Sequence, residues 1–379
     1  MTPGARALMP DYLRLVALFG IVVVNVQFIA FSALQDWLDV EVASALDAVA
    51  LWAVYGLALL KTYGLFSFMF GVGLGLLMRS AARKGQAFGK LYRNRMLGLI
   101  LLGVLHGCLF FPGDILVVYA ITGSILYLMR NWEVRRLVCV GSGLLVAQVL
   151  IGTPLLLLPA DVPPEVLTFE SETLTEGNFI EAAIFRTVGL AIVLPSTLIA
   201  QGVSALGWFC LGLASVKSGM IDQADHPVWQ RARRWCLLPG VALSLIGAGI
   251  WVWGPSLYGA AITVSIAPVA TLGYLGVIAA ISRPRGAMMD RVLAAGGASL
   301  SIYLGQSIIL STVFSGYGLG LWEEVGQAAA VGIAVAVTML LMLFLVVWRT
   351  QARHGPFEWL LRRITYAGQA AAQTKSGST

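Results

Sequence analysis

The sequence predicts an all-α, polytopic membrane protein with about ten transmembrane helices and both termini in the cytoplasm. Three observations carry that expectation. Hydrophobic residues fill 58% of the 379 positions and charged residues 12%, with a mean hydropathy of +0.84, far from the average of a soluble domain. Apolar runs close to the roughly 20 residues of a bilayer crossing recur along the chain. Between those runs, 23 of the 25 Lys and Arg residues gather in six short stretches, and 13 of the 19 Asp and Glu residues fall in the alternate gaps. Short basic loops stay on the cytoplasmic side, so the segregation orients the chain. Only Lys61 and Arg186 lie outside the six stretches.

Residues 1–12 are too polar and too short for a cleavable signal, so the first span, near 13–33, is expected to be a retained anchor. Further spans are predicted near 47–78, 95–112, 115–130, 135–158, 195–216, 235–254, 259–281, 294–314 and 325–348. The acidic gaps, such as 36–47 and 161–181, then face outward. The segment 159–181 carries three Pro and six acidic residues, followed by an amphipathic helix that begins after Gly177-Asn178 and runs into Pro195. That placement suits a cap over the outer mouth of a cavity. Residues 355–366 are expected to form a cytoplasmic amphipathic helix, and 367–379 a disordered tail. No polar stretch is long enough to bury a core of its own, so 1–366 reads as one transmembrane helical domain.

The net charge of +6 is a topology signal with some attraction for anionic lipid, not a nucleic-acid footprint. Cys108, Cys139, Cys210 and Cys236 lie in or beside apolar runs without CxxC spacing, which argues against a disulfide framework or a thiolate metal site.

Chemistry is sought among polar residues stranded in apolar spans, because an ionisable group there is costly unless it is paired or lines a cavity. Asp11, Arg14 and Asn25 fall on one face of the first span. Arg95 and His106 repeat the 11-residue separation of Arg14 and Asn25, so a second helix carries the same device. A guanidinium fork fits the phosphates of a cofactor, although either Arg could equally anchor its helix end by snorkelling. His106 opens the cluster His106-Gly107-Cys108-Leu109-Phe110-Phe111-Pro112-Gly113-Asp114, a tight turn between two helices. An imidazole titrates near neutral pH and suits proton transfer, while the plainer role is a buried neutral ring bonded to a carbonyl. Asp114 stands where it could cap the following helix, which is a structural role as ready as a chemical one. Gly71, Gly73 and Gly75 form a small-residue stripe that favours close helix packing. The ninth span is unusually polar, with Ser299, Ser301, Tyr303, Gln306 and Ser307, which fits a cavity lining or hydrogen bonds between helices.

Four motifs, in order and spread over nearly the whole chain, resemble the YeiB-like proteins of bacterial inner membranes. They are Asp11-x-x-Arg14 leading to Gly20-Ile21 and Asn25; Phe66-Ser67-x-x-Phe70-Gly71-x-Gly73; His106 with Gly113-Asp114-Ile115-Leu116-x-x-Tyr119-Ala120; and Gly355-Pro356-x-Glu358-Trp359-x-x-Arg362. Leu15 departs from the family, which usually has Gly after this Arg. The family is similar in helix layout to membrane acyltransferases, including the heparan-glucosaminide acetyltransferase and acyltransferase-3 groups. The latter carry an Arg or Lys followed after ten residues by His; here Arg95 and His106 show that spacing, and Arg14 leads to Asn25 instead.

The resemblance implies an acyltransferase that moves an acyl group, such as acetyl, from cytoplasmic acyl-CoA to an envelope glycan, lipid or small metabolite. His106 would be general base or transient acyl carrier, with Asn25 and Asp114 assisting. Arg14 and Arg95 would hold the donor, and Asp11, Tyr119, Ser301, Tyr303 and Gln306 would line the substrate cavity. The alternative is a transporter or flippase that uses His106 and Asp114 as a proton relay. The bilayer and one such substrate are the expected partners, with no metal and no nucleic acid, and self-association stays open.

Overall fold

A computed structural model describes residues 8–34, 38, 42–156, 162–284 and 286–367. The tail beyond Ala367, the acidic residues at 36, 39 and 41, and positions 159–161 of the expected outer segment lie outside the described residues. Those described are almost wholly helical and contain no strand. The helices are α1 (Met9–Asn25), α2 (Ala45–Ala53), α3 (Lys61–Arg83), α4 (Phe88–Leu109), α5 (Leu116–Leu128), α6 (Val134–Ala147), α7 (Thr153–Leu156) and α8 (Pro164–Thr175). They continue as α9 (Phe179–Ala200), α10 (Gly202–Lys217), α11 (Pro227–Trp253), α12 (Ser256–Ile281), α13 (Ala287–Gly296), α14 (Ser299–Phe314), α15 (Gln327–Gln351) and α16 (Pro356–Thr365).

Among the described residues, seven helical runs are long and apolar enough to cross a bilayer, or eight if α13 and α14, bent by 68°, form one span. This is an all-α, polytopic membrane protein. The difference from the expected ten has local causes. The helices α5 and α10 are only 13 and 16 residues long, and α4 opens with Lys90, Arg93 and Arg95. Conversely α9, expected as an amphipathic helix ending at Pro195, continues through that proline to Ala200 and joins the seven. Its start matches the expectation, because Asn178 and Glu181 form a capping box.

The second run is not a single rod. After α2 the backbone widens into a π turn over Val54–Ala58, and Leu60 then takes a left-handed conformation with φ of 61° before α3 begins. The turn frees carbonyls, and the fully buried Lys61 places Nζ 2.9 Å from the Tyr55 carbonyl oxygen. A cation at the carbonyl end of a helix is electrostatically favourable.

At the centre, α10 lies between α3 and α6, and α3 also packs on α1. Contact between α3 and α10 is backbone to backbone: a Cβ at Gly71 would stand 2.1 Å from the Phe209 carbonyl oxygen, and one at Gly212 equally close to that of Phe68. Such approach is how helices associate where lipid removes the hydrophobic drive between them. The expected glycine stripe therefore divides. Gly71 and Gly75 face α10, whereas a Cβ at Gly73 would meet nothing within 4 Å. Leu15, which stands where the family usually has Gly, packs opposite Gly296 of α13, so the small residue is supplied by the partner helix. Antiparallel α11 and α12 form a hairpin at one side, and α16 docks across α4 and α14.

Candidate functional site

The site is built around the turn between α4 and α5. His106, in the last turn of α4, and Asp114, just before α5, are both buried, with Nδ1 of the imidazole 2.8 Å from Oδ1 of the carboxylate. Asp114 is also the cap expected of it: Oδ2 accepts the backbone N–H groups of Leu116 at 2.7 Å and Val117 at 3.1 Å. The two readings of this residue are therefore simultaneous, because each carboxylate oxygen serves one of them. Tyr303 of α14 adds a fourth donor, its hydroxyl lying 3.3 Å from Oδ1, while the same hydroxyl accepts the Ile115 N–H at 3.3 Å. Its ring packs on the imidazole at 5.3 Å between centroids, and Phe111 covers another side at 6.4 Å. The helices close this tightly because residue 103 is glycine; a Cβ there would stand 2.6 Å from Asp114 Oδ2.

With Nδ1–H donated to Asp114, the lone pair of His106 rests on Nε2. That nitrogen is buried and has no hydrogen-bond partner among the described residues. A buried polar atom left unpaired is costly in a folded protein, so it marks a place where structure alone does not account for the residue.

Two cavities flank the pair. The first, about 140 Å³, is lined by Arg14, Arg95, Gly73, Tyr119, Ser299 and Tyr303, among others. The two arginines of α1 and α4 thus do reach one space. The second, about 300 Å³, is lined by Asn25, Thr62, Glu170, Arg186 and Gln201 within an apolar wall. Ile115, the residue after Asp114, lines both.

The other expected residues are distributed as follows. Asp11 is buried and bonds Arg14 at 2.9 Å, so it orients the guanidinium from beneath. Asn25 shares a helix face with Arg14 in sequence, but opens onto the second cavity instead of the first. Tyr119, in the lining of the first cavity, shares a hydrogen bond with Ser67 Oγ 2.8 Å away. Ser301 is engaged elsewhere: its hydroxyl lies 2.5 Å from Glu358 Oε2 and accepts the Phe357 N–H, while Glu358 Oε1 takes the N–H groups of Leu300 and Ser301. Glu358 is the N-terminal cap of α14, delivered by α16. Gln306 points away from both spaces and donates to Thr338 Oγ1 at 2.8 Å.

Sequence patterns did not point to Glu170 and Arg186. Arg186 of α9 is 5% exposed and donates to the Leu109 carbonyl at 3.0 Å, the end of α4, and to Ser315 Oγ at 2.7 Å. Its signal was present as one of the two basic residues outside the six stretches. Glu170 of α8 bonds the Ser32 hydroxyl and the Ala33 N–H. Burial pushes its carboxyl above the usual carboxylate range, and those two bonds oppose the shift.

The fold and site define a polytopic membrane protein with a buried His–Asp pair between two cavities. Residues 215–368 match the family described as "Protein of unknown function (DUF418)". Over nearly its whole length the chain is similar to the uncharacterized protein YxaH of Bacillus subtilis, 28% identical over 94% of this chain and 93% of the relative. It is likewise similar to the uncharacterized protein YeiB of Escherichia coli, at 26% over 96% and 98%, and to an uncharacterized 39.9 kDa protein encoded 3′ of an amylase in Bacillus acidopullulyticus, at 24% over 94% and 92%. The chain is thus similar to YeiB-like proteins over nearly its whole length and to the DUF418 family over residues 215–368. No solved structure matches it at a significant level.

Proposed function

We propose that this protein is a membrane-embedded acyltransferase of the bacterial inner membrane, in which the two cavities hold donor and acceptor on either side of His106. The observation that carries the reading is the unpartnered Nε2 of a buried imidazole whose Nδ1 is held by Asp114, beside residues that wall both spaces. A carboxylate on Nδ1 fixes the tautomer and supports the imidazolium that forms when Nε2 takes a proton. Arg14 and Arg95 supply two guanidinium groups to one cavity and suit the phosphates of acyl-CoA. In the reaction, Nε2 removes the proton from an acceptor hydroxyl or amine, that oxygen or nitrogen bonds to the acyl carbon, and the carbon–sulfur bond breaks. The proton then passes from Nε2 to the leaving thiolate.

A second reading, proton-coupled transport, is favoured by one feature: cavities on both sides of Ile115 are what alternating access requires. Two measurements on the reconstituted protein separate them. Acyl transfer predicts release of free CoA from labelled acetyl-CoA and label in an acceptor, without proton flux. Proton flux without acyl release would overturn the enzyme reading.

Both termini are placed in the cytoplasm. Gln86→Cys, Ala224→Cys and Met288→Cys should react with impermeant maleimide only from the inner side and Thr168→Cys only from the outer side. Labelling of Gln86→Cys from outside would overturn that orientation.

A further inference from the structure

The Asn25–Arg186 cavity is not isolated. A third space, about 50 Å³, shares Leu60, Tyr63 and Gln201 with it. That neck in turn shares Val149, Trp208 and Pro268 with a fourth space of about 640 Å³ between α6, α10, α11 and α12. The fourth space is a groove along the helices rather than a pit. On α6 it extends from Val149 back to Val134, about 22 Å of helix, more than the depth of one leaflet of hydrocarbon. Its walls are Val, Leu, Trp and Pro side chains with only three serines. The adjoining spaces therefore run from a chamber that holds Arg186 and Glu170 in an apolar wall, past a small neck, to a long apolar groove.

Charge divides along the same line. Arg186 is a buried cation in that chamber, and no salt bridge to it occurs among the described residues; its acceptors are a carbonyl and neutral hydroxyls. A buried cation with neutral acceptors alone retains most of its attraction for an anion. Glu170, the acid in that chamber, bonds the Ser32 hydroxyl and the Ala33 N–H and forms no salt bridge to Arg186. In a bilayer, hydrocarbon binds to a groove through packing rather than through exclusion of water, so a groove matched in length and walled on several sides retains a chain that a convex helix face does not.

We propose that these spaces form one binding site for an amphiphile, with a phosphate-bearing lipid headgroup against Arg186 and a hydrocarbon chain passing the neck into the groove. The proposal rests on the acyl-transfer reading only in making this amphiphile the acceptor; binding itself does not depend on it.

The test uses the full-length protein in phosphatidylcholine vesicles doped with phosphatidylglycerol that carries a photoreactive diazirine, placed either near the headgroup or at the chain end. After irradiation, adducts are mapped by mass spectrometry. The headgroup-proximal probe should mark the neck, at Val149, Trp208 or Pro268, and the chain-end probe the far groove, at Val134, Met220 or Trp229. Yields there should exceed those at the equally apolar, exposed Leu340, Leu343 and Phe344 of α15 by about tenfold. Even labelling of groove and α15, or the reverse order of the two probes, would overturn the proposal.

Phosphatidylglycerol should also out-label a diacylglycerol probe lacking phosphate, and Arg186→Gln should abolish that preference while chain-end labelling persists. Ser204→Phe, which narrows the neck, should remove neck labelling at an unchanged melting temperature. If the groove labels as expected but no acyl group reaches lipid, the site stands and the enzyme reading falls. If acyl transfer proceeds to a soluble acceptor with an unlabelled groove, the enzyme reading stands and this site falls.

Discussion

The two cavities that meet at Ile115 are unlike in origin and chemistry. The Arg14–Arg95 space draws its charge from two helices, α1 and α4, that carry their arginines toward the end covered by α16. The Asn25–Arg186 space is about twice as large and combines one buried cation from α9, one buried acid from α8 and two amides, Asn25 and Gln201. The first has two like charges and one wall of open backbone at Gly73, which suits a multiply anionic ligand reaching close to a helix. The second has one cation, Arg186, whose acceptors are a carbonyl and neutral hydroxyls, in a largely apolar wall, which suits a ligand that is polar at one end only. If the two spaces hold donor and acceptor as proposed, substitutions in one or the other should act on different kinetic constants.

His106 is the base in the proposed reaction, so its loss has the largest expected effect. His106→Gln keeps a donor for Asp114 and similar volume but cannot take up a proton, and turnover should fall by about 10²-fold or more. The network costs on the order of 1 kcal/mol in stability, because Asp114 retains its two backbone donors. Full turnover in this variant would remove the base from α4.

Next comes a substitution that touches one cavity alone. Gly73→Leu introduces a side chain where a Cβ meets nothing within 4 Å, so it should fold, fill the Arg14–Arg95 space and raise the donor KM about tenfold with the acceptor KM unchanged. Arg95→Gln should move the same constant. An increase in the acceptor KM instead would exchange the roles of the two cavities.

The contrast between cavities also shows what sequence could convey. The Arg14–Arg95 space was legible only in its arginines, which stand out as charges within apolar spans and reach one cavity; their 11-residue partners do not, since Asn25 opens onto the other cavity and His106 lines neither. The hairpin at Pro112–Gly113, the cap at Asp114 and the amphipathic α16 were legible from local pattern. The second cavity was not, since Asn25, Glu170 and Arg186 come from helices far apart in the chain and no local pattern relates them. The polar run of α14 was legible as polar but not by destination. Of its members, Tyr303 reaches Asp114, Ser301 is taken by Glu358 and Gln306 by Thr338. Which buried polar group finds a partner depends on α15 and α16, elements that arrive later in the chain. Among the described residues the runs long and apolar enough to cross number seven or eight where the sequence suggested about ten, because a hydropathy window sees an apolar run and not where its helix stops.

The smallest effect is expected at Asn25. Its side chain is half-buried, lines the acceptor space and lies on the other side of Ile115 from the two arginines, so it can orient an acceptor but not the donor phosphates. Asn25→Ala removes one uncharged hydrogen-bonding group from a cavity that keeps Thr62, Gln201 and Arg186, and a neutral hydrogen bond contributes about 1 kcal/mol. The acceptor KM should therefore rise by up to about tenfold, with the donor KM unchanged and kcat reduced less than in His106→Gln. Steady-state kinetics with each substrate varied in turn checks this. If Asn25→Ala instead abolishes kcat while His106→Gln retains it, the reacting group is on α1, and the buried His106–Asp114 pair is a structural lock for the α4–α5 turn.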